Sequence, residues 1–109
     1  TGTLSTARIE NQGQQDGTHG YSSGSNSDPD KTKIDRFAFA SDGTTSNIGD
    51  LTGSAKNNTF ACSAASYGYN AGAFPTQDII DKYQFQASSD SSDVGDLTVA
   101  RGAGASSQY

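Results

Sequence analysis

The chain is 109 residues long, with twelve acidic against seven basic side chains (net charge −5 at pH 7), thirteen Gly, two Pro, one Cys, and no Met or Trp. Val, Ile, Leu, Phe and Tyr supply only 20 residues, a share bordering on that of disordered chains, but the modest charge and scarce Pro weigh against disorder, and the Gly, Ser, Thr and Asn suit tight turns. Scattered Lys and Arg in an acidic chain exclude a nucleic-acid partner, no run approaches the ~18 apolar residues of a membrane helix, and the lone Cys62 excludes an internal disulfide.

In chain order, the sequence opens without Met, on Gly2-Thr3-Leu4-Ser5-Thr6-Ala7-Arg8, and a truncated or processed chain is expected. His19-Gly20-Tyr21-Ser22-Ser23-Gly24 reads as a strand whose small residues let a neighbouring sheet approach closely. After a loop over 25–33, residues 34–40 read as a strand, with Asp35, Phe37 and Phe39 on one parity and Ile34 on the other. Gly49-Asp50-Leu51-Thr52 reads as a turn that needs a permissive backbone. Asn57-Asn58-Thr59 fits the glycosylation acceptor pattern at Asn57.

From there the phrases return. Tyr67-Gly68-Tyr69-Asn70-Ala71-Gly72 matches the first strand phrase at a shift of 48, and a loop over 73–79 follows. Residues 80–98 align without gaps on 34–52, with eight of 19 positions identical and five more conservative. The two-residue difference in shift lies in the loop, where added length costs little entropy. Gly95-Asp96-Leu97-Thr98-Val99-Ala100-Arg101 repeats the opening phrase, and Thr98-Val99-Ala100-Arg101 suggests a third strand; the basic residue of the middle copy is Lys56.

The organisation expected is therefore the end of a repeat at 1–8, unit one at 9–52, unit two at 53–98 and the start of a third at 99–109. Three or four short strands per ~47 residues predict an all-β protein of tandem, propeller-like blades. Such units bury their faces against neighbours, so further copies of the same repeat, in cis or by oligomerisation, are the expected partners.

The chemistry is sparse. With one His and one Cys, no zinc cluster forms, and neither a hydrolytic triad nor any cofactor is expected. His19 corresponds to Tyr67, which suits a ring packed at a strand start with its polar tip in water. Together with Tyr21 and Tyr69, these rings are the candidates for stacking on a sugar. Asp90, Asp93 and Asp96 form a spaced acidic set that could offer oxygens to calcium, although their counterparts Thr44, Asn47 and Asp50 favour turn chemistry. Asp35 and Asp81 share a face with aromatic rings, and their recurrence in both units points to a structural latch whose oxygens accept backbone or Arg hydrogen bonds.

The order of a basic residue, Gly-Tyr with small residues and Gly, then Ile-Asp-(Arg/Lys)-aromatic, then Gly-Asp-Leu-Thr resembles a kelch-type repeat. The double glycine of that family stands here as Ser23-Gly24 and Ala71-Gly72, and its Trp is absent. Ile-Asp-Arg-Phe-Ala-Phe-Ala-Ser-Asp and Asp-Val-Gly-Asp-Leu-Thr-Val-Ala-Arg are similar to repeats in virion structural proteins of marine cyanophages. The resemblance implies a β-propeller array on a virion or extracellular surface, with a structural or adhesive role through protein, receptor or glycan contacts. A propeller lectin is the alternative. An enzyme on this fold, such as a kelch-type copper oxidase, would need several His and Tyr ligands.

Overall fold

β-Branched and aromatic residues at period-two spacing, separated by Gly- and Ser-rich turns, give eight short strands in the computed structural model, which describes residues 2–4, 12–26, 31–41, 43–53, 56–57, 59–74 and 77–102. The strands β1 (Gln12–Gln15), β2 (His19–Ser23), β3 (Lys33–Ala38) and β4 (Ser46–Asp50) form one antiparallel sheet in sequential order. A second sheet repeats that order with β5 (Phe60–Ser63), β6 (Tyr67–Ala73), β7 (Gln77–Gln84) and β8 (Ser92–Asp96). The fold is all-β, and no helix among the described residues is long and apolar enough to cross a membrane.

Strand starts are offset by 48 residues from β1 to β5 and from β2 to β6, and by 46 from β4 to β8. Cross-strand partners follow the same offsets: Gly20 faces Phe37 as Gly68 faces Tyr83, and Ser22 faces Asp35 as Asn70 faces Asp81. Loop hydrogen bonds follow them too. Phe39 N donates to Thr18 O at 3.0 Å and Phe85 N to Ser66 O at 2.9 Å; Leu51 N donates to Thr32 O at 2.8 Å and Leu97 N to Asp78 O at 2.7 Å.

Three expectations change. The strand expected over 34–40 ends at Ala38, where the chain turns so that Phe39 N reaches Thr18 O, and the one expected over 80–86 starts at Gln77 and ends at Gln84, before Gln86 takes a positive φ of 62°. Thr98-Val99-Ala100-Arg101 is not a strand; the sheet is completed by β4 and β8, so Gly49 and Gly95 lie inside strands rather than at turns. Gly49 is needed for proximity, because a Cβ there would run into the backbone of Ser89 and Asp90 in the other sheet. Finally, β1 and β5 have no counterpart in the sequence reading, since Gln-Gly-Gln-Gln lacks strand formers and shares nothing with Phe-Ala-Cys-Ser. The sequence-matched stretches at 5–8 and beyond 102 lie outside the described residues.

The apolar core lies between the sheets. Tyr21, Ile34, Ile48 and Leu51 come from the first sheet and its exit, Tyr83 and Phe85 from the second. We call the side of each sheet bearing Tyr21 or its counterpart the back face, and the side bearing Tyr83 or its counterpart the front face. The back of the first sheet thus meets the front of the second.

Candidate functional site

The densest arrangement of chemical groups is this joint, which has three layers. Nearest β1 the layer is polar. Gln14 Nε2 donates to Asn70 Oδ1 at 2.5 Å and to Tyr69 O at 3.2 Å, Ser23 Oγ donates to Asn70 Oδ1 at 3.0 Å, and Asn70 Nδ2 donates to Thr59 Oγ1 at 3.1 Å. All four side chains are buried, and mutual pairing is what makes their burial tolerable.

The middle layer is aromatic. The Tyr21 ring stacks on Phe85 with centroids 4.5 Å apart, and Tyr83 meets Tyr21 at 5.9 Å and Phe85, edge-on, at 5.7 Å. Tyr21 Oη donates to Asp16 Oδ2 at 2.9 Å and accepts from Gln86 N at 3.0 Å, tying the first hairpin to the second sheet. Burial, reinforced by the Asp16 carboxylate, pushes the Tyr21 hydroxyl up to about 12. Burial holds Tyr83 neutral still further above the usual phenol range. Asp16 moves the other way: burial opposes its charge, but donors from Thr18 N, His19 N, Thr18 Oγ1 and Tyr21 Oη outweigh that and keep its carboxyl well below the usual carboxylate range.

The third layer is ionic. Lys56 Nζ lies 2.9 Å from Asp81 Oδ2, and both side chains are fully buried. The other oxygen, Asp81 Oδ1, accepts from Thr52 N at 2.9 Å, Thr52 Oγ1 at 2.5 Å and Ser91 Oγ at 2.9 Å. The latch expected of Asp81 is thus a carboxylate that receives the chain leaving the first sheet: two donors from Thr52 and an ammonium from Lys56, in place of Arg. Asp35 is buried likewise and accepts from Thr45 Oγ1 at 2.7 Å.

The other sequence candidates are spread over the molecule. Tyr21 lies within the joint and presents no open ring face. His19 is half-buried at the start of β2, its Nδ1 2.8 Å from Thr18 Oγ1 and 3.7 Å from Asp16 Oδ1. Tyr67 is half-buried under Lys82, whose Nζ sits 4.0 Å from the ring centroid. Tyr69 is half-buried on the back of the second sheet. Asp90 Oδ1 accepts from Asp50 N at 2.9 Å across the joint and Asp93 Oδ1 from Gly95 N at 3.1 Å, while Asp96 ends β8 opposite Ile79. Among the described residues no three His, Cys, Asp or Glu side chains converge as a metal site. Asn57 O accepts from Phe74 N at 3.0 Å, while Asn58 of the same motif lies outside the described residues.

A feature missed in the sequence is a shallow cleft present once per sheet. On the first sheet it is lined by His19, Arg36, Thr44 and Ser46, among others, and on the second by the counterparts Tyr67, Lys82, Asp90 and Ser92. The signal was available, since each pair shares one offset and is a ring, a cation or a small polar residue. Scans against protein-family models and against curated proteins find no match to this chain.

Proposed function

We propose that this chain is a non-enzymatic structural or adhesive module, built of stacked β-units of the kelch-like propeller kind and displayed on a virion or other extracellular surface. The observation that carries this reading is the use made of the recurring residues. Asp81, Tyr83 and Phe85 serve to seat the preceding sheet, so packing accounts for why Asp35, Phe37 and Phe39 repeat the pattern. The shared strand order and offsets support a stack, in which weakly apolar units are stable through their neighbours. Loops over 25–33 and 73–79, free to vary in length, are the contact elements for a receptor or glycan. The virion setting rests on the similarity to cyanophage repeats.

The duplicated cleft favours one second reading, a lectin that holds sugars against His19 and Tyr67. A glycan array probed with the intact chain separates the two. Under the adhesive reading, exchanging loops 25–33 and 73–79 for Gly/Ser sequence abolishes glycan capture, while His19→Ala and Tyr67→Ala leave it unchanged. Capture lost only in the two alanine variants overturns the loop assignment in favour of the lectin.

A further inference from the structure

Each sheet has a front and a back, and only one of each is used within the chain. The back of the second sheet carries Tyr69, Ile80, Val94 and Leu97 at the offsets of Tyr21, Ile34, Ile48 and Leu51, which are buried in the joint. Val94 is 51% exposed, and Val99 just beyond it 60%. The front of the first sheet carries Phe37 and Phe39, 40% and 54% exposed, at the offsets of the joint residues Tyr83 and Phe85. Two apolar faces therefore remain, and they match the two halves of an interface the molecule already contains.

The backbone shows how they would meet. Gly24 cannot carry a Cβ because of Lys56 O, and Gly72 cannot because of Arg101 O, so Arg101 leaves the second sheet where Lys56 leaves the first. Lys56 goes on to Asp81, and the counterpart of Asp81 is Asp35, on the front of the first sheet. That front is already prepared for a neighbour. Thr45 N donates to Thr3 O at 2.8 Å just as Ser91 N donates to Asp50 O at 2.8 Å, and Gly2 abuts Gly43 as Gly49 abuts Ser89. Residues 2–4 thus occupy the place that the exit of a preceding sheet takes in the joint.

We infer that the back of the second sheet docks the front of the first sheet of a second copy of this chain, head to tail, through the same joint that unites the two sheets internally. The inference rests on the stacked-unit reading and names its contact surface. The incoming residues 95–97 displace residues 2–4, which are exposed and hydrogen-bonded through Thr3 to Thr44 and Thr45, and Arg101 is brought toward Asp35. An interface of this heterologous kind propagates instead of stopping at two copies.

Sedimentation of the intact chain from about 10 μM to about 1 mM, the range of weak specific association, tests this. The mean mass is expected to climb past that of a dimer. Val94→Lys and Phe39→Lys each change an exposed residue on one face and are each expected to stay monomeric with unchanged circular dichroism. Mixed together they retain one good face apiece, and the mixture is expected to form a dimer and no more. Removing residues 1–4 is expected to tighten association several-fold. A wild-type chain monomeric throughout, a mixture that stays monomeric, or association unmoved by either substitution or by the truncation overturns the inference. Nuclear Overhauser contacts between the Tyr21 and Phe85 rings tell the two failures apart: if these persist the stacked reading stands alone, and if they are missing both fall.

Discussion

Tyr83 and Phe37 occupy equivalent positions on the two sheets, each ring lying over a cross-strand glycine, yet Tyr83 is 2% exposed and Phe37 40%. Leu51 and Leu97 differ in the same sense, one buried in the joint and the other half-exposed. Local structure is the same in each pair, so the difference comes entirely from what lies against the face. Burial here belongs to the neighbouring unit more than to the residue.

The comparison breaks most visibly at the ionic layer. Asp81→Ala strands the buried Lys56 ammonium and is expected to cost about 3–5 kcal/mol, the range for removing one partner of a buried pair. Arg101→Met, the change at the counterpart of Lys56, is expected to stay within about 0.5 kcal/mol because Arg101 is exposed. Urea titrations of the two variants check both values. A smaller contrast follows in the aromatic layer. Phe85→Ala removes the ring stacked on Tyr21 and is expected to cost about 3–5 kcal/mol, whereas Phe39→Ala at the equivalent exposed site is expected to cost under about 1 kcal/mol. Thermal unfolding of the two proteins side by side ranks them.

The least disruptive test uses pH. The first hairpin is capped by Asp16, whose counterpart in the second is Ala64, with a backbone bond to Tyr67 O alone. Since folding lowers the Asp16 pKa, its stabilisation is complete above the ordinary value of 3.8 and is lost as pH falls below that toward the lowered one. Amide exchange at Thr18 and His19 is therefore expected to accelerate, relative to the intrinsic rate, as pH drops below about 4, with Ser66 and Tyr67 unaffected through this term. Equal acceleration in both hairpins would remove the cap from the account.

Much of the strand pattern was legible because residues 34–52 and 80–98 carry the same words, and alternation of Asp35, Phe37 and Phe39 marks a strand without further context. The innermost strands were illegible for the opposite reason: β1 and β5 take up equivalent positions with unrelated sequences, held by pairing to β2 and β6. The latch role of Asp81 could be argued from the cost of burying a carboxylate beside rings. Its partner could not, because Lys56 stands 25 residues earlier and reaches it only across the joint. The Gly49-Asp50 phrase was misread as a turn because composition alone cannot tell a glycine needed for φ from one needed for closeness.

That closeness has a consequence for how the chain can drift in sequence. A methyl group at Gly20 would strike the ring of Phe37, and one at Gly68 the ring of Tyr83. Phe37 stands at an open surface and can swing aside, so the first site has an outlet for a mutational step. Tyr83 is walled in by Tyr21 and Phe85, so the same step at Gly68 requires three rings to move together. A neighbouring unit therefore freezes the glycine codon beneath it, and the outermost sheet of any stack is where such codons are freest to change.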